Sequence, residues 1–316
     1  MLKIITSFCL LVTIGLQTYS QCCSPGNPTG GTVNQGTLEK KSWRTILFYQ
    51  YGYSKGYFTG TSASGDGVLE NAAFNYIGGT VAYGITHRFT AEWSGGYFIN
   101  RKQLYKVIPP PDNKLSGNGI SDFVVQGKYS WIKSKAKQFE LTTGAGVQIP
   151  LRSKPQEKNG VILPQDVQPA SNAFGFTASL FLYKGYIQKK THLFFASQFL
   201  SAGKNDLNYK YGDAWINSFF VSYNIKYPWS IIMQVRNELR GKDHRNGQLI
   251  NASGSELLYL SPQVNYNFQQ QLDVSILFDW PVYKYYNGTQ LGKQYNIAVI
   301  VNRVFRQKSK ITNAQA

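Results

Sequence analysis

Cysteine, histidine and acidic side chains are scarce in this chain of 316 residues, which has three Cys, three His and 16 Asp plus Glu. Cys9 lies in an apolar N-terminal stretch, and Cys22 and Cys23 are adjacent, so they outline no disulfide framework. Two neighbouring thiols could at most hold a soft metal ion. That reading of Cys22 and Cys23 is weaker than a plain N-terminal oddity, and Gln21 is a poor residue before a lipidated cysteine. The histidines, His87, His192 and His244, are far apart and form no HExxH pair. No GxSxG elbow or P-loop occurs. The expectation is a protein with no catalytic residues, no cofactor and no metal.

Long apolar runs are also missing. Beyond the N-terminus no stretch of about 18 apolar residues occurs, so no transmembrane helix can be drawn. The N-terminus, MLKIITSFCLLVTIGLQTYS, has Lys3, an apolar run from Ile4 to Leu16, and small residues before a cut after Ser20. That pattern predicts a signal peptide over 1–20 and export of the rest. Negative charge is in short supply too. Lys plus Arg number 33, for a net charge of +17. A basic surface suits an anionic partner. Nucleic acid is excluded for an exported chain without a binding motif, which leaves lipopolysaccharide phosphates or an anionic solute. Plain solvation of loops by lysine explains the charge equally well.

What the chain has in plenty is alternation. In FELTTGAGVQIPL, residues 139–151, Phe139, Leu141, Ala145, Val147, Ile149 and Leu151 share one face, and Glu140, Thr142, Gly144, Gly146 and Gln148 the other. A period of two means a β-strand. Twelve such stretches are expected, at 44–54, 72–86, 88–100, 120–132, 138–151, 173–187, 191–202, 213–227, 230–240, 255–267, 271–282 and 293–305. Most are longer than the usual soluble strand of about five or six residues. They match the roughly 9–11 residues a tilted strand needs inside a bilayer. Short turns follow the even strands. Long loops rich in Gly, Asn, Pro and charge follow the odd ones, at 55–71, 101–119, 152–172, 203–212, 241–254 and 283–292. Outer-membrane barrels are built this way, with tight periplasmic turns and longer outer loops. Trp43, Trp131, Tyr186, Tyr227, Trp229 and Tyr266 fall near the chain start or the short turns. Tyr51, Tyr97, Trp215, Trp280 and Tyr283 fall near the long loops, so the rings form two aromatic girdles.

Several stretches carry a family resemblance: GISDFVVQGKYSW (119–131), ELTTGAGVQIPL (140–151), YGDAWINSFFVSYNIKY (211–227), SELLYLSPQVNY (255–266) and VSILFDWPVYKYYNGTQLG (274–292). The chain resembles the bacterial outer-membrane family named for the meta-pathway of phenol degradation, and CCSPGNPTGG (22–31) resembles its forms in the Bacteroidetes. The resemblance implies a β-barrel distantly similar to long-chain fatty-acid channels, passing hydrophobic or aromatic small molecules. It implies no catalytic residues.

The expected fold is all-β: a single transmembrane antiparallel barrel of about 12 strands. The expected divisions are a signal peptide (1–20), a periplasmic segment that could partly plug the barrel (21–40), the barrel (41–306) and a disordered basic tail (307–316). The polar faces place Glu92, Gln126, Lys128, Glu140, Gln148, Gln234, Arg236, Glu238, Arg240, Asp273 and Asp279 in the lumen. These groups either pair with one another or set solute selectivity, pairing being slightly favoured for most. Arg236 and Arg240, on one face of one strand, are the chosen solute-contacting pair. Expected partners are outer-membrane lipid, lipopolysaccharide and a small-molecule solute; the oligomeric state is not legible. Two alternatives stay open. One is an envelope barrel that scaffolds a partner without transporting. The other is a lipid-modifying enzyme with His192 as its base, for which no convincing His–Ser arrangement is found.

Overall fold

A computed structural model describes residues 36–305, apart from 66, 107, 111, 112, 152, 153 and 269–271. The predicted signal peptide, Cys22, Cys23 and the basic tail all lie outside the described residues. Eleven long strands form the wall. They are β1 (Trp43–Gly60), β2 (Leu69–Gly84), β3 (Phe89–Tyr105), β4 (Phe123–Ser134), β5 (Phe139–Ile149) and β6 (Gly175–Tyr186), then β7 (Thr191–Ala202), β8 (Ala214–Lys226), β9 (Trp229–Arg240), β10 (Ser255–Phe268) and β11 (Leu272–Phe305). Each pairs antiparallel with its sequence neighbour, and β11 pairs with β1 from Trp43↔Phe305 to Gly60↔Tyr286, so the sheet closes. Closure leaves no unpaired edge.

The last strand passes through the wall twice. Its first half pairs with β10 and its second half with β1. It folds back on itself, for Asn296 Nδ2 donates to Asp279 Oδ2 at 3.3 Å and Asn302 Nδ2 to Asp273 Oδ2 at 3.1 Å. The reversal falls at Asn287–Gly288, where Gly288 has φ +67°. Only glycine adopts that conformation without strain. The expectation of a long loop over 283–292 is therefore corrected: this is extended strand around a tight turn. The same correction applies at 55–60 and 101–105, where β1 and β3 continue past their expected ends. The other connections at this end, within 106–122, 150–174, 203–213 and 241–254, are long, and short ribbons form inside them. At the opposite end 85–88, 135–138, 187–190 and 227–228 turn the chain.

Alternate residues face opposite sides, as the sequence requires. On β9, Ile231 and Met233 are 46% and 44% exposed on the outside, while Gln234 and Arg236 are 2% exposed inside. The girdle rings Trp43, Trp131, Tyr227, Trp229, Tyr97, Trp215 and Trp280 all stand exposed on the outer face.

The inner face is not uniformly polar, contrary to the simple two-face reading. Ile46, Phe48, Phe74, Tyr76, Phe98, Leu277, Ala298 and Ile300 form a buried apolar cluster inside the barrel. Phe181, Ala196, Phe220 and Ile232 form a second on the opposite arc. β1 alternates in burial from Trp43 to Ser54, but both its faces carry large apolar groups.

Candidate functional site

The interior is arranged in three levels. At the level of the short turns, residues 36–41 run inside the mouth and bind inward-facing side chains. Thr37 donates its N–H and its hydroxyl to Glu140 Oε1, at 2.7 and 2.9 Å, and Leu38 N donates to Thr90 Oγ1 at 2.9 Å. Lys133 Nζ donates to the carbonyl of Thr37 at 2.9 Å. The approach is close enough that a Cβ on Gly84 would lie 2.1 Å from the Glu39 carbonyl oxygen. Glu39 itself pairs with Lys135 at 3.0 Å and His87 at 3.1 Å. Its hydrogen bonds to Lys135 and His87 hold its carboxyl below the usual range. Above this strap, Glu92 takes Lys128 at 2.8 Å, Arg44 at 3.3 Å and Gln126 at 2.6 Å.

The middle level holds the apolar clusters and a buried ion chain. Arg236 bridges Asp279 at 2.9 Å and Glu238 at 3.2 Å, and Glu238 reaches Lys293 at 3.5 Å. The Arg236 guanidinium lies 4.5 Å over the Tyr259 ring. Ser261 Oγ donates to the other oxygen of Asp279 at 2.6 Å. An unpaired charge here would be strongly unfavourable, and Arg236, Glu238 and Asp279 each have more than one partner.

At the level of the long connections, the segment between β5 and β6 turns inward. Val167 and Gln168 are fully buried, with Leu163, Ala170 and Ala173 nearly so. Ser171 N donates to Asp122 Oδ2 at 2.8 Å, Gln148 Nε2 to Ser171 Oγ at 2.9 Å, and Arg101 to the Gln168 carbonyl. Tyr211 OH donates to the Gln165 carbonyl at 3.2 Å. Burial of the Tyr211 hydroxyl raises its pKa well above the ordinary value. A Cβ on Gly117 would stand 2.2 Å from the Val167 carbonyl oxygen.

Between strap and inserted segment lies a cavity of about 340 Å³. Ile46, Phe48, Tyr76, Phe98 and Phe181 make an apolar side; Gln126, Gln148, Gln198, Gln290, several Ser and Thr hydroxyls and a set of partnered charged groups make a polar side. This mix of apolar wall and a few convergent polar groups is typical of small-molecule sites.

Of the expected lumen residues, Glu92, Gln126, Lys128, Gln148, Glu238 and Arg240 line the cavity. Arg236, Glu140, Asp273 and Asp279 are not among its lining, each being held by neighbours. Arg236 and Arg240 therefore do not present themselves together: the first sits between two carboxylates, and the second meets the cavity beside Tyr211 and Asp243. Arg101, Asp122, Tyr211 and Lys293 line the cavity without having been singled out. Arg101 escaped because an extra residue in β3 shifts the register, from Tyr76↔Phe98 to Asn75↔Asn100. The inward positions change from even to odd at that bulge. Among the described residues no three His, Cys, Asp or Glu side chains are placed to hold a metal ion.

The model of one protein family, described as putative MetA-pathway of phenol degradation, matches residues 29–292. The chain belongs to this family. The family stretches quoted from the sequence hold much of the interior: Asp122 and Lys128, then Glu140 and Gln148, then Asp279 and the Asn287–Gly288 turn. Among solved structures, a COG4313 outer membrane channel from Pseudomonas putida F1 matches with a TM-score of 0.69 at 11% identity, over 87% of this chain and 99% of that one. Looser likenesses include a Pseudomonas aeruginosa FadL homologue (TM-score 0.43, 11% identity, 83% of this chain and 90% of that one). Another is the CymD monoaromatic hydrocarbon channel (TM-score 0.40, 10% identity, 85% and 90%). No curated protein matches the chain.

Proposed function

We propose that this protein is an outer-membrane channel through which small, uncharged apolar or aromatic solutes pass by diffusion. The observation that carries the reading is the cavity: a space with an apolar side and a polar side whose charged groups are held by partners, inside a closed barrel whose outer face is apolar. Only closed barrels and helices satisfy every backbone group in hydrocarbon. Family membership and a fold shared with an outer-membrane channel support it. In this reading residues 1–20 direct export, the short turns face the periplasm and the long connections face outward. Residues 21–40 act as a partial plug, of which the described part, 36–40, holds the periplasmic mouth. Lipopolysaccharide surrounds the outer rim.

The test is flux of a neutral aromatic solute into liposomes carrying the purified protein, compared with a Gly84→Ala variant. The added methyl group displaces the strap at Glu39, so the variant should pass solute several-fold faster. Neither protein passing solute above empty liposomes would refute the channel reading. Equal flux through both would remove the plug role alone.

A further inference from the structure

The two rims of the barrel differ in charge. At the rim of short turns, Lys40, Arg88, Lys137, Lys189, Lys190 and Lys226 are all exposed. Among the described residues every carboxylate at this end is engaged: Glu39, partly exposed, by Lys135 and His87, Glu140 by Thr37 and Thr142, Asp273 by Asn302 and Asn267. The opposite rim is mixed, with Glu70, Glu157, Asp206, Asp213 and Glu256 exposed among its lysines. Lysines that served only to solvate loops would have no cause to segregate in this way. A rim with so few counter-charges repels itself, so it marks a surface that meets anions.

The depth of this rim is set by the rings beside it. Trp43, Trp131, Tyr227 and Trp229 stand outward at the same end of the wall. Such rings sit at headgroup level. Lys184 lies 5.6 Å over the Tyr186 ring and Arg303 lies 4.7 Å over Phe305, so cations are carried at the outer face of the belt as well as below it. Long cationic side chains placed there extend toward the interface.

We infer that this basic rim binds the phosphates of anionic glycerophospholipids in the periplasmic leaflet. The inference rests on the proposed orientation, with short turns facing the periplasm. The acyl chains lie along the apolar wall, the glycerol beside the Trp and Tyr belt, and the phosphate against the lysines of successive turns.

The experiment compares lipid retention by native mass spectrometry, after reconstitution of the full chain in equal phosphatidylglycerol and phosphatidylcholine. Wild type should retain phosphatidylglycerol about tenfold over phosphatidylcholine, on the scale of roughly fivefold per lysine at a membrane surface. Raising the salt should erode that preference in wild type itself. A variant with Lys137, Lys189, Lys190 and Lys226 each changed to Gln should fall to near parity. A control with Lys114, Lys158 and Lys204 changed to Gln, at the other rim, should keep the preference. No preference in wild type, or equal loss in both variants, overturns the inference. So does salt-sensitive binding of wild type to purified peptidoglycan without any lipid preference. The orientation is read separately: a Lys189→Cys protein labelled on intact cells by an impermeant maleimide would overturn the orientation whatever the lipid result.

Discussion

Replacing Asp279 by Ala asks whether the middle of the barrel is sealed or wet. Arg236 and Asp279 have side chains 3% and 1% exposed and meet at 2.9 Å. The substitution removes that bridge together with the bonds from Ser261 at 2.6 Å and Asn296 at 3.3 Å. It leaves Arg236 with Glu238 at 3.2 Å and the Tyr259 face. Removing one partner of a buried pair costs about 3–5 kcal/mol, against roughly 0–1 kcal/mol for an exposed pair. Because Glu238 remains, the lower part of that range, about 3 kcal/mol, is expected. Changing Arg236 to Met in the same chain removes the stranded cation, so the double variant should lose about 2 kcal/mol less than the two single losses together. The assay is reversible urea unfolding of the barrel in lipid vesicles, followed by tryptophan fluorescence. A loss below about 1 kcal/mol for Asp279→Ala, with no coupling to Arg236, would mean that water reaches the pair. The three-level description of the interior would then be wrong.

Two further expectations follow from the ends of the cavity. Gly117→Ala places a methyl group 2.2 Å from the Val167 carbonyl. It should push the inserted segment away from the wall, raise single-channel conductance and lower stability by about 1–3 kcal/mol; unchanged conductance would show that this segment does not limit passage. Glu39 has its pKa lowered by its bonds to Lys135 and His87, so its contribution is present above the unfolded value and is lost as pH falls through the folded one. Strap anchoring should therefore be constant from neutral pH down to about 4.5 and weaken only below it. The change should stay well under 1 kcal/mol because the pair is exposed, and Glu39→Gln should abolish the acid dependence of conductance.

The barrel was legible because each strand crosses two very different surroundings, and a period of two records both. β5 and β9 show it best. β1 shows no such contrast in its sequence, because Ile46 and Phe48 face inward to an apolar cluster while Leu47 faces outward. The Asn287–Gly288 turn does carry a local signal. An Asn-Gly pair between alternating segments is a strong hairpin mark, but the many polar residues around it read as a loop. Glu92, Lys128, Glu238 and Arg240 could be placed at the cavity from parity alone. Arg101 could not, because one extra residue inverts parity. Nor could Asp122 or Tyr211, whose position depends on which connection folds inward, and composition does not distinguish an inserted segment from a solvated one.

In the proposed channel, passage requires the strap or the inserted segment to move, and their anchors are unequal. When the strap leaves, Glu140 keeps Thr142 at 2.8 Å, Glu92 keeps Lys128 and Arg44, and half-buried Lys133 turns to water. No buried charge is stranded, and Leu38 is the main apolar side chain exposed. When the inserted segment leaves, Asp122 loses the Ser171 N–H but keeps Gln148 at 3.2 Å, Arg101 loses the Gln168 carbonyl and Tyr211 loses Gln165. Val167, Ala170 and Ala173 then come out of burial together. Burying apolar surface stabilises by about 25 cal/mol per Å², and the strap buries less of it than the inserted segment, so the strap is the cheaper of the two to open. Amide hydrogen exchange reads this directly. Thr37 and Leu38 should exchange at least tenfold faster than Ser171, and the reverse order would assign the moving gate to the inserted segment.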